Sequence, residues 1–213
     1  ENLQPALDQY DNVVVYRDDA RNFGVMQAVF EKEQIEVVFN LATIALNYSF
    51  FNPFDAYMVN VEIMNTLLEL LKMRAYDTLI HSSSSEAYGT AQNSPMDENH
   101  PMNPTTPYAA GKAADLMALS FYNVLNLDIA VVRPFNNYGP RQNDQQLAAI
   151  IPLTAKRVFR GEKPVIEGTG EQTRDFIYVE DTARAFILAY ENEKTRGRVV
   201  NLGSGMEISM NRL

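Results

Sequence analysis

No cysteine occurs in the 213 residues, which removes disulfides and thiolate metal sites and makes a reducing compartment the natural setting. Histidine is nearly as scarce: His81 and His100 are the only two, too few for a histidine-rich metal site. Basic side chains are outnumbered, 18 Lys and Arg against 27 Asp and Glu, for a net charge of −9. Phosphate contacts need clustered Lys and Arg, so no nucleic-acid partner is expected. No apolar run reaches the ~18–20 residues of a membrane span, and no signal-peptide pattern is visible. Repeats and low-complexity segments are also missing. What remains, 46% hydrophobic and 21% charged, is the composition of a globular chain that can fill a core. The expectation is a soluble, cytoplasmic protein without membrane contact. Its first residue is Glu1 rather than methionine, and residues 208–213 look like the opening of a helix cut short, so a piece of a longer protein is expected.

Val13-Val14-Val15-Tyr16 is a short β-branched run, and the spacing of Val25, Val29 and Phe30 predicts a helix over residues 21–32. Residues 36–41 read as a strand buried on both faces, in the style of a parallel sheet. A helix is predicted over residues 53–73, with Pro53 in the first turn, where proline is tolerated. A strand at 78–82, a helix over 108–126 behind Pro107, and a strand at 128–133 stopped by Pro134 follow. Strands alternating with helices of ten residues or more predict β-α-β units and an α/β fold with a parallel sheet. After Pro140 the pattern changes to a helix over 147–160, a short strand near 165–167 and a turn at Gly168-Thr169-Gly170. A helix over 179–192 and a strand at 199–202 complete it. The division expected is residues 1–140, a sheet domain, and 141–213, mainly a smaller lobe from which the chain crosses back to the sheet.

The most informative local pattern is Tyr108-Ala-Ala-Gly-Lys112, 24 positions after Ser84 of the cluster Ser82-Ser83-Ser84-Ser85. Positions i and i+4 share a helix face, roughly 5–6 Å apart at their β-carbons. An ammonium that close favours the phenolate, so Lys112 is expected to lower the Tyr108 pKa and fit it for general-base work. Ligands of open α/β sheets bind at the carboxyl ends of strands. Three such ends carry polar or small clusters: Leu41-Ala42-Thr43, Ser82 to Glu86, and Phe135-Asn136-Asn137-Tyr138-Gly139-Pro140. A binding cleft is expected at that edge.

These residues, with Asp19-Ala20-Arg21-Asn22, Asn40-Leu41-Ala42, Asn60-Val61, Ser82-Ser83-Ser84-Ser85-Glu86-Ala87-Tyr88-Gly89, Arg133-Pro134-Phe135-Asn136 and Arg174-Asp175-Phe176-Ile177-Tyr178-Val179-Glu180-Asp181, resemble the extended short-chain dehydrogenase/reductases that modify nucleotide sugars, the NAD-dependent epimerase/dehydratase group. The resemblance implies a Rossmann-like, doubly wound parallel sheet with a smaller substrate-binding lobe, here incomplete. The family's glycine-rich phosphate loop, which offers backbone N–H groups to a pyrophosphate, has no counterpart in the chain, nor has the residue that selects NAD over NADP.

By the same resemblance the cofactor is NAD, held by Asp19, Ala20, Leu41, Ala42, Thr43, Asn60, Ser82, Tyr108, Lys112 and Pro134. Ser84 would orient the 4-hydroxyl of a nucleotide sugar, Tyr108 would be the base, and Lys112 a ligand of the nicotinamide ribose. Ser84, Ser85, Asn136 and Arg174 would contact the substrate, the last two at its diphosphate. Read without the family, Asp19 caps the following helix, Asn60 lies on the surface, and Arg174 pairs with Asp175 or Glu180.

The shared chemistry is oxidation at carbon 4, after which a 4,6-dehydratase, a 4-epimerase and a UDP-glucuronate decarboxylase diverge. Glu86, two residues after Ser84, resembles the carboxylate of the dehydratases and decarboxylases, and 4,6-dehydration is the first expectation. The non-catalytic alternative is a dinucleotide-binding sensor, a class that usually loses the Tyr or the Lys. A homodimer through a four-helix bundle is also implied. Ala110, Ala113, Ala114, Met117, Ala118 and Phe121 support it by giving one helix more apolar surface than a single sheet contact consumes.

Overall fold

The computed structural model of the chain describes residues 2–145 and 148–213. In chain order its elements are α1 (Gln4–Gln9), α2 (Phe23–Glu33), β1 (Val37–Asn40), α3 (Leu46–Ser49), α4 (Pro53–Lys72), β2 (Thr78–Ser82), α5 (Pro107–Lys112), α6 (Asp115–Leu125) and β3 (Asp128–Pro134). They continue with β4 (Asn136–Tyr138), α7 (Ile150–Phe159), β5 (Thr173–Tyr178), α8 (Val179–Glu191), β6 (Val199–Leu202) and β7 (Glu207–Ser209). The first sheet is parallel, in the order β1-β2-β3-β6. Alternation along its central strands sends Leu79, Ile129 and Val131 into a core with α4 and α6, and Ile80, Ala130 and Val132 into a second core with Phe186 and Ala189 of α8. Both faces are covered, which is why these strands read as continuous apolar runs. The second sheet, in the order β4-β5-β7, begins at Asn136, and β6 returns the chain to the first sheet.

Several expectations need correction. The run Val13-Val14-Val15-Tyr16 forms no strand, because no strand among the described residues pairs with its backbone. β1 is an edge strand, not one buried on both faces: Phe39 is 39% exposed. The helix expected over 108–126 is broken at Ala113 and Ala114. There the hydrogen bonds tighten to three-residue spacing, from Ala114 N to Gly111 O and from Met117 N to Ala114 O. No strand forms near residues 165–167, where Val165 and Ile166 are exposed and unpaired. The strand of this region is β5, which has partners on both sides. Asn136-Asn137-Tyr138, read as loop chemistry, is a strand parallel to β5, and residues 207–209 pair antiparallel with β5 where a helix was expected. Leu147, the expected start of the helix that begins at Ile150, lies outside the described residues.

The tightest packing that bears on the site is between α4 and α5. A β-carbon on Gly111 would lie 3.1 Å from Tyr57 O, 3.2 Å from Asn60 Cβ and 3.3 Å from Ala56 O. Any side chain there pushes the two helices apart. Gly111→Val should lower stability by about 1–3 kcal/mol through overpacking, and Gly111→Ala by less, as read from urea denaturation midpoints.

Candidate active site

The parallel strands end together, with Asn40 beside His81 and Ser82 beside Val132, so the loops that follow them meet at one edge. After β2 the serines are held in turn. Ser83 Oγ donates to Lys112 O at 3.2 Å, and Ser84 Oγ accepts from Glu86 N at 3.2 Å, capping the 3₁₀ turn Ser85–Tyr88. Gly89 ends that turn with φ of 69°, and a β-carbon there would sit 1.9 Å from Asn103 O. This close approach brings in the segment that leads to α5, whose first turn is set by Pro107 and by Thr106 Oγ1 accepting from Ala109 N at 3.1 Å. Tyr108 therefore arrives over the serines. Its phenol lies close enough to the Ser84 and Thr43 side chains and to the Glu86 carboxylate for all three to bear on its ionisation.

The tuning expected from Lys112 does not occur. Burial raises the Tyr108 pKa above its ordinary value, and Glu86 adds to the rise, while Ser84 and Thr43 oppose it. The face that Tyr108 and Lys112 share on α5 is turned inward, so desolvation outweighs proximity. Lys112 is itself buried, donates from Nζ to Ser82 O at 2.8 Å, and is lowered to about 8 by burial against the pull of Asp115.

The loop after β1 is fixed by Asn60, which is buried rather than on the surface. Its Oδ1 accepts from Thr43 Oγ1 and Ile44 N, both at 2.9 Å, and its Nδ2 donates to Ala56 O and Ile44 O at 2.8 and 3.3 Å. Beside this loop an open cleft of about 610 Å³ is lined by Asp18, Asp19, Ala20, Ala42, Thr43 and Ile44 among others. Thr43 thus belongs both to the cleft and to the surroundings of Tyr108. Leu41 is exposed in the same loop, and Ser82 and Pro134 end their strands at this edge. Asp19 does not cap α2, a role taken by Asn22, which accepts from Val25 N at 3.3 Å. Instead the Arg21 side chain grips the Asp19 carboxylate and holds it down to about 2.

Asn136 and Arg174 come from β4 and β5. The register opposes Asn136 to Phe176, so alternation puts Asn136, Arg174, Tyr138 and Tyr178 on one face of the second sheet. Arg174 is exposed and donates to Thr173 O at 2.7 Å, and among the described residues no ion pair holds it. Asp175 is occupied elsewhere, accepting from Ser204 N, Ser204 Oγ and Gly205 N at 2.8, 2.6 and 2.9 Å. Ser85 opens the 3₁₀ turn next to Ser84.

Two buried polar pairs went unassigned in the sequence. Arg133 and Asp115 form a bidentate pair, with Nε to Oδ2 at 2.8 Å and Nη2 to Oδ1 at 3.0 Å. Asn40 and His81 meet at 3.0 Å near the ends of β1 and β2. The signal was a polar residue at or near the end of an otherwise apolar strand, as at Asn40, His81 and Arg133, while Asp115 at the start of α6 gave none.

A model of the NAD dependent epimerase/dehydratase family matches residues 4–203. The UDP-glucose 4-epimerase of Mycolicibacterium smegmatis is 36% identical over 219 residues, covering 100% of this chain and 68% of that protein. The structure of UDP-glucose 4-epimerase with UDP-glucose from Thermotoga maritima is similar at a TM-score of 0.89 and 30% identity, covering 95% of this chain and 66% of that one. A dTDP-glucose 4,6-dehydratase from Bacillus anthracis, in complex with NAD, gives 0.87 and 29%, covering 99% and 64%. The chain spans about two thirds of the length of the relatives it matches.

The buried ammonium has a stability consequence. With Lys112 lowered from 10.5 to about 8, both folded and unfolded chains are protonated below pH 8, and the fold carries the cost of the buried charge. Between about pH 8 and 10.5 the unfolded chain holds more protons, so this contribution to stability rises with pH. Lys112→Met should be more stable than the parent at pH 7 by about 1–3 kcal/mol, and the gap should close toward pH 10.5 in chemical denaturation.

Proposed function

We propose that this chain, which belongs to the NAD dependent epimerase/dehydratase family, carries out NAD-dependent modification of a nucleotide sugar through a 4-keto stage and follows the 4,6-dehydration branch. The observation that carries the reading is the convergence of Ser84, Glu86 and Thr43 on the Tyr108 phenol, beside the cleft that Thr43 also lines. The cleft fits the adenosine half of NAD in size and chemistry. Ala20 and Ala42 leave room for a flat ring, Asp18 and Asp19 offer carboxylate acceptors, and Asn60 holds the loop still. Bound there, NAD⁺ supplies the acceptor for hydride from carbon 4 and the later donor. Tyr108 takes the proton of the 4-hydroxyl, which Ser84 orients, and Lys112 holds the ribose side of the site. Because burial and Glu86 keep the free phenol protonated, Tyr108 works as a base only once substrate contacts favour its phenolate. Glu86 takes the carbon-5 proton made acidic by the 4-ketone. Arg174 and Asn136, on one face of the second sheet, bind the diphosphate through charge-assisted hydrogen bonds.

A 4-epimerase is the second reading. It is favoured by the 36% identity to the M. smegmatis epimerase over the whole chain, and by Ser85, where a second acid would serve water loss. The cytoplasm is the compartment that fits a chain without cysteine. A homodimer through α4 and α6 fits the exposure of Tyr57, Leu116 and Met117.

Glu86→Gln and Tyr108→Phe test the reading together, with NADH absorbance and product mass as readouts. Tyr108→Phe should lose ~10²–10⁴-fold in rate with binding retained, and turnover within about threefold of the parent would remove Tyr108 as the base. For a dehydratase, Glu86→Gln should still reduce NAD⁺ and accumulate a 4-keto sugar while water loss falls by about a hundredfold. Unaltered turnover without mass change would select the epimerase, and loss of carbon dioxide the decarboxylase. Sedimentation should show a dimer at micromolar concentration, and a stable monomer would contradict the helix-bundle interface.

A further inference from the structure

Asn40 and His81 have no part in the reaction as described. They are register partners at the ends of β1 and β2, each 4% exposed, and Asn40 Nδ2 lies 3.0 Å from His81 Nδ1. An amide NH₂ can only donate, so Nδ1 accepts and the ring proton sits on Nε2. Alternation puts Asn40 with Val38, and His81 with Leu79, on the sheet face covered by α4 and α6, with α5 packed on α4.

Charge reaches His81 from one direction. Lys112 on α5 acts on it directly. On β3 its register partner is Val131, and Arg133, next on that face, is neutralised by Asp115 of α6. From α4 the polar neighbour of this layer is Asn60, whose hydrogen bonds are closed on Thr43, Ile44 and Ala56. Among the described residues no carboxylate pairs with His81. Burial holds the imidazole well below its ordinary value, and the Lys112 charge adds to this.

We infer that Asn40 and His81 are positioning residues for Lys112, a neutral pair that keeps the floor beneath the ammonium uncharged, so that protonation of His81 disables the site in acid. The inference rests on the reading of Lys112 as part of the reaction centre. Lys112 Nζ is held at Ser82 O, one residue beyond His81. An imidazolium would put a second cation into the same buried space. Its Nδ1–H would also face the Asn40 NH₂, breaking the bond that ties the end of β1 and, through it, the loop bearing Ala42 and Thr43. For a histidine depressed by folding, the unfolded chain takes up the proton first, so stability present above about pH 6.5 is lost as pH falls.

Two variants separate positioning from mere packing. His81→Gln keeps an acceptor for Asn40 but cannot titrate, and His81→Asn replaces it if that protein does not fold. Asn40→Asp supplies a carboxylate that pairs with an imidazolium. Thermal midpoints and turnover of a nucleotide sugar are followed from about pH 8 to about pH 4, a window carried below the ordinary histidine range because folding depresses His81. The parent midpoint should fall below about pH 6.5, and both variants should flatten that fall. The acid limb of turnover should move down by about one pH unit in His81→Gln and up by about one in Asn40→Asp. Opposite shifts are what a structural contact alone does not produce. An acid limb that stays in place in both variants overturns the positioning role. A parent-like fall of the midpoint in His81→Gln shows that another group titrates and overturns it equally. If the parent turns over no nucleotide sugar, the proposed function fails separately, and NAD⁺ affinity by calorimetry takes the place of turnover. The parent should then bind about tenfold more weakly at the acid end of that range than at pH 7.5 and His81→Gln should not, while equal losses in both would overturn the pair.

Discussion

Arg133 and Asp115 are taken out of water completely, at 1% and 0% exposure, and the segments around the site are arranged to satisfy them. The guanidinium lies 4.7 Å over the ring of Tyr88, and its Nη2 also reaches Met102 Sδ at 3.2 Å. Tyr88 then donates to Asn201 Oδ1 at 2.7 Å, and Asn201 N donates to Glu98 at 2.8 Å. One buried charge pair thereby connects β3, α6, the turn after β2, the segment before α5 and β6. Removing one partner of such a pair typically costs 3–5 kcal/mol, whereas an apolar replacement of both is often neutral. Its value here lies in registration: the tightened turn between α5 and α6 exists where Asp115 turns inward to meet Arg133.

Desolvation governs the charge states of the site. Tyr108 is held protonated, Lys112 is loosened toward its neutral form, and His81 is kept from charging, in each case with burial as the leading cause. Nearby charges only modify these effects. The sequence spacing of Tyr108 and Lys112 gave the right neighbours and the wrong sign, because spacing on a helix says nothing about which way the shared face is turned.

Much of the first sheet was legible. β2, β3 and β6 are apolar runs between turn residues, and α4 and α8 carry full helical periodicity, so local pattern and tertiary burial agree. The failures came where a partner decides the outcome. Val13-Val14-Val15-Tyr16 has strand composition but no neighbour, while Asn136-Asn137-Tyr138 has loop composition and becomes a strand because β5 lies alongside. The clusters at the strand ends were readable as a site, since their position follows from the parallel sheet. Asn60 was readable as part of the cofactor site, and its four hydrogen bonds to the loop and to its own helix were not. Side-chain pairs such as Arg133–Asp115 and Asn40–His81 join residues 18 and 41 positions apart, and only the folded chain brings them together.

The double membership of Thr43 has a thermodynamic side. Its hydroxyl donates to Asn60, lines the cleft and bears on the ionisation of the Tyr108 phenol. Anything that fills the cleft and draws on that hydroxyl changes the proton affinity of Tyr108. By reciprocity, the protonation of Tyr108 changes, by the same factor, how tightly the cleft is filled. Occupancy and ionisation are then two coordinates of one equilibrium, and a threonine side chain sets the exchange between them.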